Sequence, residues 1–565
     1  MRPDVSTKIA SSWIQKFGNA LQTADLEKTL SYIHPGGYFR DVLVFSWNNR
    51  CLHRHQKIEQ YLKGALKTSS IANVELDFQP GLQPEYAPFT EHLPLCAVSA
   101  GFKFTCSAGL GRGSFSLVLT DTWEWKALIV MMALVDIKGH EEVRDELALS
   151  VQERRKAETD PHVLIIGAGQ SGLNIAARFK QMNISMLVVE DNYRVGDNWR
   201  KRYPSVVLHS PKKMNSMLYQ PYPSNFPVFI PRDEIADWLE QYASAQDLVV
   251  WTNSRPLPLP TYDEALKRWT VVIDRGGEHV TLHPVHIIVA AGVLGAPRMP
   301  SVGDRELFLG SVLHSSEYKG GKSFAGQRVV VVGAGNTAAD ICQDLCSHGA
   351  RAVTMVQRSE TWVASRASAR ALIDQMYPED VDIDVCDLMT MGRPLALQRK
   401  LERKTGVQMM KQEEQTHRGL REAGFKISSR CNFLIHFYEG HGGLDVGCAE
   451  LIRTGKVKIK QGAQVDRFST DSVVLTDGSS LEADAVLFAT SYENICDTLR
   501  PVFGDSTMDR VGPVWGLDAE GELRGCYRPT GHPGLWFAVG DFSQSRISSK
   551  QLALQIKAIE LGLLE

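Results

Sequence analysis

The chain has 565 residues, 43% of them hydrophobic and 22% charged, with a formal net charge of −3. That length exceeds what one hydrophobic core fills, so about three or four domains are expected. The charge balance offers no electrostatic basis for a nucleic-acid partner or a membrane surface.

The longest apolar run, "ALIVMMALV" at 127–135, suits a buried strand and is too short to span a bilayer as a helix. The N-terminus has no apolar secretory core, and the ten cysteines include no Cys-x-x-Cys pair. A cytoplasmic protein with reduced thiols and no bound metal is expected.

Residues 1–140 open with helical patterns in "SSWIQKFGNALQTADLEKTLSYIHPGGYFRD" and "HRHQKIEQYLKGAL". They continue as strands such as "LCAVSAGFKFTC" and "GSFSLVLTDTWEW". Helices followed by antiparallel strands indicate an α+β domain. The order resembles the cone-shaped fold of nuclear transport factor two and its relatives, which implies a sheet able to enclose a ligand or to form a homodimer. Asp41, His53 and His55 are candidates for a pocket lining, although surface polar positions are the plainer reading. The charged residues 141–160 read as a linking helix.

At 162–172, "HVLIIGAGQSG" is a buried parallel strand followed by Gly167, Gly169 and Gly172 at G-x-G-x-x-G spacing, with Gln170 and Ser171 between them. Helical periodicity follows, then the strand "SMLVVED" ending in Glu190, eighteen residues beyond Gly172. Gly167 permits the tight turn, Gly169 lets a pyrophosphate approach, and Gly172 lets helix and strand pack closely. The helix N-terminus faces the phosphates, and Glu190 can accept from a ribose 2′-hydroxyl.

The pattern recurs in "RVVVVGAGNTAADICQDL", with Gly333, Gly335 and Ala338 at G-x-G-x-x-A spacing and Asn336 and Thr337 at the helix start. Its second strand ends in Gln357, Arg358 and Ser359, where an acid would otherwise stand. A guanidinium at this place holds a 2′-phosphate through charge-assisted hydrogen bonds, whereas a carboxylate repels it. The simplest pairing is FAD at the first turn and NADPH at the second. Residues 393–426 read as a mostly solvated helical segment without chemistry of its own.

Between the two turns, "FLGSVLHSSEY" fits F-x-G-x-x-x-H-x-x-x-[YF] through Phe308, Gly310, His314 and Tyr318. With both glycine turns in this order, residues 160–560 resemble the class B flavin-dependent monooxygenases, in particular the N-hydroxylating, flavin-containing and plant YUCCA-type enzymes. The resemblance implies an α/β fold of two Rossmann-type domains behind the N-terminal α+β unit. FAD binding would occupy 161–320 and 485–565, and NADPH binding 321–484 with a helical insertion.

The same resemblance implies roles for single residues. Gly196, Asn198 and Trp199 match the G-x-W element bordering the flavin. His209 and Ser210 stand where many relatives have Asn-Ser, and His209 would hydrogen-bond near the reacting centre. Gly292 belongs to a hinge in "HIIVAAGVLGAPRMP", and Thr490 to a second crossing in which Ser491 replaces the more usual Gly. Gly540 and Asp541 would meet the flavin's ribityl chain. His314 would serve cofactor geometry, and Tyr318 in place of Trp leans away from Baeyer–Villiger enzymes.

The activity so implied is NADPH- and O2-dependent oxygenation of a small substrate through a C4a-(hydro)peroxyflavin. Amine, sulfide, α-keto acid and ketone substrates stay open, as do a disulfide reductase and a non-catalytic flavoprotein sensor as alternatives. The lack of any Cys-x-x-Cys pair argues against the reductase.

Overall fold

A computed structural model describes residues 2–89, 95–144, 148–429 and 443–564, with the backbone alone over 402–409 and at 444. The N-terminal unit starts with helix Pro3–Gln22, whose Pro occupies the first helical position. Its buried face, Ala10, Trp13, Ile14, Phe17 and Leu21, recurs at three- and four-residue spacing. Trp13 packs 4.6 Å from both Phe17 and Phe115, which anchors the helix on the sheet.

That sheet runs Asn49–His53, Ile33–Val42, Trp125–Ile137, Gly109–Leu119, Cys96–Thr105, Ala72–Asp77, and Glu85–Pro88 also pairs Cys96–Thr105. Ile33–Val42 and Trp125–Ile137 lie parallel, and the other pairs are antiparallel. The 127–135 run lies within Trp125–Ile137 as a largely buried strand.

A first five-stranded parallel sheet follows in the order Val250–Trp251, Met186–Val189, Val163–Ile166, His286–Val289, Leu535–Phe537. Its strands are short apolar runs buried on both faces, as parallel strands covered by helices are. Helices Gln170–Gln181 and Phe542–Glu560 pack against each other, with Asn174 donating to Ser545 Oγ at 2.7 Å.

The second parallel sheet is Ser311–His314, Ala485–Phe488, Arg328–Val332, Ala352–Gln357, Val457–Gln461. It takes in two strands, 311–314 and 485–488, that the sequence boundaries assign to the first unit. Ala485–Phe488 lies between Ser311–His314 and Arg328–Val332 and pairs with both, so the chain enters the second sheet earlier than the expected boundary and leaves it later. The crossing itself is a two-stranded ribbon, Leu294–Pro297 against Tyr492–Asn494.

The expected linking helix is shorter, Val151–Thr159, and starts with a capping box between Ser150 and Glu153. Before it, Glu142 is buried and receives Arg178 at 2.5 and 2.7 Å and Lys550 at 2.6 Å. Burial alone would raise its pKa, but these two cations hold it down to about 2. This cluster fastens the N-terminal unit to both helices of the first sheet.

Asp41 is buried and accepts from the Val44, Phe45 and Ser46 N–H groups and the Tyr61 hydroxyl. It anchors the turn that follows Ile33–Val42. His53 stacks on Tyr38 at 4.4 Å, and His55 meets the Ile33 carbonyl at 2.9 Å.

Candidate active site

A cleft of about 710 Å³ is lined by Gln170 and Trp199 from the first sheet's side, Asn336 and Thr337 from the second, and Arg40 and Asn49 from the N-terminal sheet.

Gly167 leaves strand Val163–Ile166 with φ of 108°, and a side chain there would also strike the Ala290 carbonyl at 2.7 Å. A Cβ on Gly172 would sit 1.9 Å from the Gly167 carbonyl oxygen, so helix and turn touch directly. At Gly169 a Cβ would meet only the Asn198 amide at 3.3 Å. Apart from that exposed side chain, no protein atom crowds Gly169, which stands at the N-cap of helix Gln170–Gln181. Such a helix start could receive a phosphate group. Ser171 is buried inside the same helix.

Glu190 follows strand Met186–Val189. It accepts from the Ala168 N–H at 2.8 Å and from the Asn192 N–H at 3.0 Å. The carboxylate is thus oriented beside the glycine turn, with acceptor capacity left for a further donor.

Gly196 takes φ of 89° and opens the short helix Asp197–Arg200. Asn198 is exposed beside Gly169, and Trp199 is buried against the cleft with an indole N–H that has no partner among the described residues. An orphaned buried donor costs free energy unless something fills the adjoining space.

His209 Nε2 lies 3.5 Å from the Asp340 carboxylate, which also accepts from Tyr203 at 2.9 Å. Asp340 stands on helix Asn336–Ser347 of the second sheet, so this contact spans the cleft between the two sheets. Ser210 is tied to Asn215, a buried residue whose amide donates to Ser210 Oγ at 2.8 Å and to the Pro211 carbonyl at 3.0 Å. Asn215 also lines the cleft and carries no sequence signal beyond its type.

Gly333 repeats the Gly167 geometry with φ of 132°. Gly335 caps helix Asn336–Ser347, and Ala338 is buried on it. Arg358 and Ser359 are exposed after strand Ala352–Gln357, outside the cleft, and the Arg358 guanidinium has no partner among the described residues. Gln357 is fully buried and closes a ring of hydrogen bonds with Lys426.

Asp541 caps helix Phe542–Glu560 by accepting from the Gln544 N–H at 2.6 Å, and it lines the cleft after Gly540. Burial pushes its pKa up. Gly292 is exposed with φ of 92° at the start of the ribbon.

The fingerprint is structural. Phe308 packs on Phe468 at 5.2 Å, and a Cβ on Gly310 would meet the Asp484 carbonyl at 2.4 Å. His314 is 1% exposed and does not reach the cleft. Its Nε2 holds the Ser491 carbonyl instead. Tyr318 is also buried and donates to Asp344 at 2.7 Å. Tyr318 therefore acts on how the linker packs and does not line the cleft.

The segment 393–426 corrects the expectation of a solvated helix. Arg393, Leu395 and Gln398 line the cleft, Leu397 packs among Tyr38, Cys51 and Ile129 of the N-terminal unit, and His417 and Leu420 are buried. Its high charge content hid the apolar positions that dock it. Among the described residues, no group of three His, Cys, Asp or Glu side chains could hold a metal, and no helix is long and apolar enough to cross a membrane.

Comparison with known proteins supplies the class. The sequence model of the flavin-binding monooxygenase-like family matches residues 160–506, and the chain belongs to that family. It is a flavin-dependent monooxygenase. Among its relatives, the indole-3-pyruvate monooxygenase YUCCA1 of Oryza sativa subsp. japonica is 31% identical over 350 residues, spanning 61% of this chain and 79% of that protein. The probable indole-3-pyruvate monooxygenase YUCCA10 of Arabidopsis thaliana is 26% identical over 343 residues, 60% of this chain and 83% of its own length. In fold, the chain is similar to an open crystal structure of cyclohexanone monooxygenase, with TM-score 0.53, 15% identity, and coverage of 72% and 88% of the two chains.

Proposed function

We propose that the protein is an NADPH- and O2-dependent FAD monooxygenase that places one oxygen atom on the nitrogen, sulfur or carbonyl carbon of a small organic substrate. The observation that carries this reading is a cleft lined both by Gln170, next to the first glycine turn, and by Gly335–Ala338 of the second, with the unpartnered Trp199 N–H in its wall. Each parallel sheet, with its glycine turn, is read as a Rossmann-type dinucleotide unit. FAD belongs at Gly167–Gly172 and Glu190, and NADPH at Gly333–Ala338 with its 2′-phosphate on Arg358.

When bound, the flavin supplies the redox chemistry: it accepts hydride from NADPH and activates O2. The chain's own residues bind, orient and shield. Gly169 leaves room for the diphosphate, and the N–H groups opening helix Gln170–Gln181 face it. The Glu190 carboxylate accepts from a ribose hydroxyl.

His209 and Asp340 face each other across the cleft and would help to set the spacing at which two dinucleotides are held. Arg40 and Asn49 close the N-terminal wall and keep water from the reacting centre. The N-terminal unit, in this reading, is part of the active site and not an appended module.

The test is the stoichiometry of NADPH oxidised, O2 consumed and product oxygenated across a panel of amines, sulfides, α-keto acids and ketones. Tight coupling with one class identifies the reaction. Flavin that no NADPH reduces, even with substrate present, would leave the sensor reading in its place.

A further inference from the structure

The turn at Met391–Arg393 is built by two parts of the chain. Helix Ile383–Met391 ends there, with the Gly392 N–H donating to the Leu388 carbonyl at 2.9 Å and the Arg393 N–H to Thr390 at 3.1 Å. Pro394 then prevents the same helix from running on. The N-terminal sheet presses on this turn from outside. A Cβ on Gly392 would lie 2.3 Å from Ser114 Oγ, and the Arg40 guanidinium donates to the Met391 carbonyl. Gln398 Nε2 binds the Arg393 carbonyl at 2.9 Å from the other side. With its backbone held twice, Arg393 stands in the cleft wall.

The other cations of that wall are occupied. Arg40 meets Glu522 at 2.6 and 2.7 Å, Arg528 meets Asp518 at 3.0 Å, and Arg202 lies 5.1 Å over the Trp199 ring. The Arg393 guanidinium has no hydrogen bond or ion pair among the described residues. Its side chain has open surface, but that surface faces the cleft, and the surrounding protein withdraws enough water to lower its pKa. An arginine stays charged in such a place, so an anion entering the cleft gains its full fork of donors. A neutral sulfide would leave the guanidinium unmatched, and a cationic amine would be repelled.

We propose that Arg393 anchors the carboxylate of the substrate, so that the enzyme oxygenates a small organic acid, and that the N-terminal sheet sets this preference by holding the Met391–Arg393 turn. The proposal rests on the monooxygenase reading and adds the substrate's charge to it. The family match begins at residue 160, so the sheet that pins the turn lies outside the matched region.

The test titrates the purified protein with phenylacetate and with its neutral counterpart 2-phenylethanol, read by thermal shift and by perturbation of flavin absorbance. The wild type is expected to bind the acid at least about tenfold more tightly than the alcohol. Arg393→Met should lose about tenfold to a hundredfold in affinity for the acid, the scale of a charged hydrogen bond. Its affinity for the alcohol and for NADP⁺ should be unchanged.

Arg40→Met should narrow the acid-to-alcohol ratio in the same direction. Where Arg393→Met fails to fold, Arg393→Lys keeps the charge without the fork and must still shift that ratio. Equal binding of acid and alcohol by the wild type, or equal loss of both in the variant, would overturn the proposal. So would a loss confined to NADP⁺, which would give the guanidinium to the dinucleotide's phosphates. A colourless protein would refute the flavin reading separately, because the thermal-shift arm still reports acid binding.

Discussion

His314 donates from Nε2 to the Ser491 carbonyl at 3.1 Å, while its Nδ1 accepts from the Ser316 N–H at 3.2 Å. The second bond assigns the proton to Nε2, and burial lowers the pKa so that the ring stays neutral. Ser491 takes φ of 77°, a left-handed conformation that a non-glycine residue adopts at a cost of about 1–2 kcal/mol. The fingerprint histidine thus clamps the strained hinge residue where the chain returns from the second sheet.

Replacing His314 by Leu keeps bulk and removes a bond worth about 0.5–1.5 kcal/mol. Flavin content should be unchanged, while stopped-flow reduction by NADPH slows about tenfold to a hundredfold, because small misplacement of reacting groups is costly. Normal reduction with lost flavin would assign the histidine to flavin binding instead.

Arg358 extends from the second sheet without a partner among the described residues. Arg358→Ala should raise the KM for NADPH by about tenfold to a hundredfold, the range of one charged hydrogen bond. The KM for NADH should barely move. Steady-state kinetics with both donors decide the matter, and equal losses would remove the 2′-phosphate assignment.

The two glycines at 169 and 172 should respond differently to alanine. At 172 the new Cβ meets backbone at 1.9 Å, so the first sheet itself is disrupted and soluble protein is lost. At 169 the Cβ meets only the exposed Asn198 side chain, which can give way, and the folded chain should survive with flavin affinity at least about tenfold weaker, since the methyl would intrude on the diphosphate. Circular dichroism and flavin content measured together separate the outcomes; full flavin occupancy in Gly169→Ala would contradict a phosphate held at this turn.

Burial holds His286 down to about 3 and His532 down to about 4. In the unfolded chain both titrate near about 6.5. Between those values the unfolded chain binds more protons, so stability rises with pH across this window and is lost on acidification. Each site contributes up to about 1.4 kcal/mol per pH unit. In His286→Leu the slope of urea-unfolding free energy between pH 5 and pH 6 (about one unit below the unfolded pKa) should fall by one proton's worth. An unchanged slope would mean that His286 takes up its proton in the folded state.

Asp387 and Arg546 form a nearly buried bidentate pair at 2.6 and 2.7 Å, joining helix Ile383–Met391 to helix Phe542–Glu560. Asp387→Ala leaves the Arg546 charge uncompensated and should cost about 3–5 kcal/mol. Chemical denaturation measures this; a cost below about 1 kcal/mol would mean that solvent reaches the arginine.

Much of the scaffold was legible because it is local. Val163–Ile166, its glycine turn and helix Gln170–Gln181 make their contacts within a short stretch of chain, and the same holds at Arg328–Ser347. The orphaned Trp199 N–H, the Asn215 tether and the role of Arg393 were not legible. Each depends on what the rest of the chain places opposite, and residue type carries no trace of that. The 393–426 segment misled for the same reason, since its docking surface is a few apolar side chains among many charges.

By itself, then, the amino-acid order determined two strand–turn–helix units, the glycines that only a close ligand or backbone approach requires, and the contrast between Glu190 and Arg358. Steric limits and hydrophobic periodicity act over a few residues, and so they can be read along the chain. Tertiary structure alone decided that His314 meets Ser491 and that Arg40 meets Glu522 across 482 residues. It also decided that the N-terminal sheet walls the cleft, because such pairings depend on the packing of whole layers, which no local spacing records.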